Sequence, residues 1–229
     1  MNGMQQRLLR TIVGLCALTL LEPVYGIDLI RRYEYYRINP QSAELIEKSM
    51  VEASPIVIDQ RKGRHYAASY AYTIDFRNSV EYERDGRQCH VIVHHPKLEG
   101  VVKMPKLDRR EYYSAEVMKA FDELNHALTE HELEHERIVY VAYNNLRLEL
   151  INHAPFNSCG EANQFVEMRL NAVEKQVAEA NRAFDCREYG HASGFSECRH
   201  PGMVAKESPY QCSGKLLKFH GESICIEDQ

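Results

Sequence analysis

The apolar positions in residues 114–151 recur at steps of three and four: Val117, Phe121, Leu124 and Leu128, then Ile138, Ala142 and Leu146. That period marks one face of a long helix. Ser114 is placed to cap it, with Glu116 in the first turn. The stripe has a gap between Leu128 and Ile138, and the two positions that would fill it, 131 and 135, are both histidine. A second helical pattern covers about residues 161–184, with Phe165, Leu170, Val173 and Val177 among its apolar residues. The stretch 152–160, with Pro155, separates the two.

The first half of the chain changes period. Residues 31–38 (RRYEYYRI) alternate as a strand does, Pro40 breaks the run, and Ser42 can cap a short helix to about Val51. Residues 67–76 (AASYAYTIDF) and 88–95 (QCHVIVHH) are rich in aromatic and β-branched side chains, and a polar turn at Asp85-Gly86 joins them. A shorter run, 101–104, ends at Pro105. The expected architecture is α+β: a small, mainly antiparallel sheet followed by two long helices.

Residues 1–26 read as an export signal. Arg7 and Arg10 precede a short apolar run from Thr11 to Leu21, and Val24-Tyr25-Gly26 follows as a cleavage site. The run is too short for a bilayer span, which needs roughly 20 residues. No stable membrane insertion is expected once it is cleaved. Removing 26 of the 229 residues leaves 203, and the formal charge moves from −5 to −6 because two arginines and one glutamate go with them. A mildly acidic chain argues against nucleic acid as a partner. Six cysteines remain: Cys89, Cys159, Cys186, Cys198, Cys212 and Cys225. An even number in an exported, periplasmic or secreted chain suggests disulfides. A small zinc site of Cys186, His191, Cys198 and His200 ranks below that reading.

Candidate chemistry sits in HELEH, residues 131–135. Two histidines four apart lie one above the other on a helix, about 5–6 Å apart at Cβ. Two imidazole nitrogens so placed can converge on one Zn²⁺. Glu132, one residue round from His131, lies where a carboxylate can take a proton from a water at the metal. His126, five residues before His131, points away from this face. His90 and His94 are too far apart on a strand to chelate one ion. A catalytic zinc usually takes three protein ligands. In an antiparallel helix hairpin, residues level with 131–135 fall near 176–180, which brings in Glu179. His191, just beyond the second helix, is the competitor, and geometry leaves the two level.

The order of these features resembles a family of bacterial exported proteins described as predicted secreted zinc-dependent proteases. The resemblance runs from about Tyr33 to Gly194 and rests on YEYYRI, AYTIDF, RQCHVIV followed by VVKMPKL, HELEH, Cys159 and FDCREYGHA. The last piece is similar to a closing pattern of Tyr-Asp followed by Thr-x-His-Gly, with Tyr189 and Ala192 standing where the family has Thr and Gly. The resemblance implies that His131 and His135 are metal ligands and Glu132 the catalytic glutamate. It favours His191 over Glu179 as third ligand, and it implies a supporting role for Asp185. It also implies a Cys89–Cys159 disulfide. Tyr189, beside His191, is placed either to stabilise an oxyanion or to pack.

The resulting expectation is a zincin-like metallopeptidase domain over 27–194, with a cysteine-containing extension over 195–229. It would hydrolyse peptide bonds in a peptide or protein substrate, with Glu132 as general base. The rival reading is a periplasmic zinc-binding or interaction protein without hydrolytic activity.

Overall fold

The computed structural model of the protein describes residues 26–59, 64–189, 215–219 and 222–226. The expected leader up to residue 25, His191 and most of the extension lie outside these residues. No helix among the described residues is long and apolar enough to cross a membrane.

Strand β1 (Asp28–Ile38) opens the fold, followed by helix α1 (Ile46–Ala53) and two short strands, β2 (Val57–Asp59) and β3 (Arg64–His65). Strands β4 (Ser69–Asp75), β5 (Val80–Asp85), β6 (Gln88–Val93) and β7 (Lys97–Leu107) complete the first half. The central sheet has the order β1-β7-β4. It is mixed, because β1 runs parallel to β7 and β4 antiparallel to it. The expected sheet was mainly antiparallel. The parallel pair is possible because the whole β2–β6 region supplies the long crossover that parallel strands need.

The Asp85-Gly86 turn was correctly placed but assigned to the wrong partners. It joins β6 to β5, a strand not foreseen over Val80–Asp85, while β4 pairs with β7. Gly86 has φ +60°, which suits glycine in such a turn. Strand β7 continues through Pro105 to Leu107. Ser42 makes no capping bond from its side chain, and α1 starts at Ile46 after one 3₁₀ turn.

The two long helices form as the periodicity requires. Helix α2 (Ala115–Ile151) starts at Ser114, whose hydroxyl accepts from the Val117 N–H at 3.3 Å. Helix α3 (Cys159–Tyr189) runs five residues beyond the expected end. One face of β7 carries buried Leu98, Gly100, Val102 and Met104, and this face packs under α2. Phe76, Leu98, Val139, Tyr143, Leu146, Val166, Leu170, Val173 and Val177 share one core between helices and sheet.

Three further contacts fix the frame around α2. Gly100 admits the Tyr70 ring, whose Cε2 would lie 2.7 Å from a Cβ at that position. Arg31 on β1 grips buried Glu136 on α2 through two bonds, Nε to Oε2 at 2.8 Å and Nη2 to Oε1. Cys89 on β6 is bonded to Cys159 at the start of α3, with Cα atoms 5.1 Å apart. The backbones of Cys89 and Phe156 exchange hydrogen bonds of 2.8 and 2.9 Å beside it. Cys186 is also disulfide-bonded. It therefore offers no thiolate to a zinc site in the tail. Beyond residue 195, β8 (Lys215–Phe219) and β9 (Glu222–Ile226) pair antiparallel.

Candidate metal centre

His131 and His135 lie on the face of α2 that meets the last two turns of α3. His131 is 8 % exposed. The two Nε2 atoms are 3.1 Å apart. Oδ1 of Asp185 lies 3.0 Å from Nε2 of His135 and 3.4 Å from Nε2 of His131. Among the described residues this trio is the one group of histidine, cysteine and acidic side chains spaced to hold an ion, with ligand atoms within 4.8 Å of one another.

The outer nitrogens explain why the inner ones converge. Nδ1 of His131 meets Oε2 of Glu188 at 2.5 Å, and Nδ1 of His135 meets Oδ1 of Asn181 at 2.8 Å. Both partners are acceptors, so each Nδ1 carries the hydrogen and donates. With Nδ1 so engaged, each ring turns Nε2 towards the other ring and towards Oδ1 of Asp185. Two ring nitrogens and a carboxylate oxygen brought to one point are held there by positive charge, either a proton on Nε2 or a metal cation. The donor set of two imidazoles and one carboxylate suits Zn²⁺. Phe184 holds the rings in place: its centroid is 4.7 Å from that of His131, stacked, and 5.0 Å from that of His135, edge-on.

The electrostatics point the same way. Burial pulls both histidines down, but Asp185 with Glu188 at His131, and Asp185 with Asn181 at His135, outweigh it and leave both pKa values raised. Burial pushes Asp185 up, yet the two histidines bring it down to about 2. The cluster thus favours positive charge at its centre. Glu132 is 5 % exposed, and its pKa is raised, by burial first. The two histidines and the Tyr70 backbone N–H pull it back only in part.

The structure brings together some of the expected residues and not others. His131, His135 and Asp185 meet, and Asp185, expected in a supporting role, lies close enough to both histidines to share an ion with them. Glu179 is on the exposed face of α3 and is not part of the cluster. The level reached by α2 residues 131–135 is 181–188, not 176–180, because α3 starts well beyond the end of α2 to reach Cys89. Glu149, near the end of α2, is accordingly paired with Arg169 at 2.6 Å. His191 lies outside the described residues. Tyr189 ends α3, and its side chain is outside them as well. His126 and Glu130 are exposed as expected, and Glu134 pairs with Arg137.

Asn181 and Glu188 were missed. A signal for one of them was present: the stripe Leu170, Val173, Val177, Phe184 skips position 181, and a polar residue fills the gap, as in α2.

An α+β fold with a His-His-Asp cluster between two long helices defines the protein structurally. The chain belongs to a family of bacterial proteins of unknown function, DUF922, whose profile matches residues 33–192. No curated protein and no solved structure matches it.

Proposed function

We propose that the protein is a zinc-dependent hydrolase acting on peptide bonds, with His131, His135 and Asp185 as ligands and Glu132 as general base. The observation that carries the reading is the 3.1 Å approach of two Nε2 atoms whose Nδ1 atoms already donate to Glu188 and Asn181. Zinc, when bound, polarises a carbonyl and acidifies water. The chain's own residues do the rest. Glu132 is buried beside the ligand pair and its pKa is raised by that burial, so its carboxylate would be a stronger base than an exposed glutamate, suited to accept a proton and pass it to a leaving amine. Phe184, packed against both rings, shields one side of them from bulk water.

One observation favours a second reading, zinc binding without hydrolysis. A surface recess of about 280 Å³ lies elsewhere, lined by Phe76, Arg77, Tyr143 and Glu174, while Phe184 covers the histidines. Among the described residues that touch the histidines, Asp185 and Glu188 reach solvent, at 38 % and 32 % exposed. The test is a peptide-library digestion by wild type and Glu132→Gln at equal zinc content. Cleavage by wild type alone supports the hydrolase; no cleavage by either, with one zinc per chain in both, supports the binding protein.

A further inference from the structure

The two histidines are supported unequally, and the inequality comes from one face of α3. Asn181, Phe184, Asp185 and Glu188 follow the spacing i, i+3, i+4, i+7, so they share a face. Glu188 gives His131 a charged acceptor at 2.5 Å. Asn181 gives His135 a neutral one at 2.8 Å. An imidazole that donates its second N–H to a carboxylate has a more basic ligand nitrogen than one that donates to a carbonyl.

The geometry points to Asn181 as a positioning residue: through His135 it keeps one of the two imidazoles a weak donor, and so keeps a bound divalent metal strongly polarising. This rests on the metal-centre reading above and adds a direction to it. With a carboxylate at 181, both rings become strong donors; the metal is held more tightly and withdraws less electron density from a substrate carbonyl. With an apolar side chain of the same size, His135 loses the partner that fixes its tautomer and ring angle. Second-sphere losses of that kind typically cost ~10–100-fold in metal affinity. A role in packing alone predicts no such split, because Asp and Leu at 181 would then both weaken the site.

The test uses the full chain as wild type, Asn181→Asp and Asn181→Leu. Zinc affinity is measured by competition with a chromophoric chelator, and kcat on a cleaved peptide at full zinc occupancy. The expected order of affinity is Asp above Asn above Leu, with about 10-fold or more between Asn and Leu. The kcat of Asn181→Asp should fall below wild type although its zinc is held more tightly. Any other order of affinity overturns the inference. If Asn181→Leu does not fold, Asn181→Asp against wild type decides alone: tighter zinc supports the inference, and equal or weaker zinc overturns it. Affinity can be read without hydrolysis, so a wild type that binds zinc and cleaves nothing overturns the hydrolase reading while the order still decides this one. A wild type that takes up no zinc overturns both.

Discussion

Asp185 Oδ1 lies 3.0 Å from Nε2 of His135, although the two residues are fifty positions apart and on different helices. A helix pair brings them together, and the carboxylate approaches Nε2 of a ring whose other nitrogen is already engaged. The contact closes a triangle of side chains spaced to hold an ion.

Removing that side should be felt in metal affinity before stability. Asp185→Ala is expected to lower zinc affinity by ~100-fold or more, since it removes a charged ligand. Glu179→Ala, on the exposed face of the same helix, should leave affinity unchanged. Isothermal or chelator-competition titration of the two variants side by side checks this.

The pKa shifts predict opposite pH responses with and without metal. In metal-free protein both histidines have raised pKa values, so their contribution to stability is complete below the unfolded value of about 6.5 and is lost as pH rises through the folded values. Asp185, lowered to about 2, contributes above the unfolded value near 3.8 and loses that contribution as pH falls towards 2. The urea midpoint of chelator-treated protein should therefore drop between pH 6 and pH 8. At fixed total zinc the midpoint should rise over the same range, because binding releases those protons.

The Arg31–Glu136 pair ties the edge strand β1 to the helix that carries the histidines. Glu136 is 5 % exposed in its side chain and Arg31 35 %. Arg31→Leu should destabilise by about 2–4 kcal/mol, somewhat under the usual cost for a fully buried pair because water still reaches the arginine. Arg31→Leu combined with Glu136→Leu should cost less than Arg31→Leu alone, since no buried charge is stranded. Denaturant melts of the single and double variants give the sign.

The Cys89–Cys159 disulfide closes a separation of 70 residues and anchors the start of α3. Replacing both by alanine should destabilise by about 4 kcal/mol on the loop-entropy account. It should also weaken zinc binding, because α3 carries Asp185, Asn181 and Glu188 at its other end. Melting temperature and zinc titration of the same double variant measure both effects.

The sequence showed the helices clearly because their burial is periodic: the stripe of α2 located His131 and His135, and Ser114 located the start. It showed the sheet poorly. Partners such as β1 and β7 lie some seventy positions apart, and strand pairing over that distance leaves no local pattern; the parallel register Asp28↔Lys97 is invisible to alternation. The level of α3 beside the histidines was misjudged for a related reason. How far α3 slides along α2 depends on long-range contacts such as Cys89–Cys159 and Glu149–Arg169. A helix hairpin drawn from its turn alone brings Glu179 beside the histidines, where the structure has Asp185. Asn181 stayed hidden because polar residues in an apolar stripe were read on one helix and not on the other.

X-ray absorption at the zinc edge of the purified full chain tests the metal centre most directly. The account predicts one zinc per chain, a shell of nitrogen and oxygen at about 2.0–2.1 Å with the multiple scattering of two imidazoles, and no sulfur. Loss of one imidazole in His135→Ala should follow. A zinc shell containing sulfur at about 2.3 Å, or protein that takes up no zinc, would contradict it.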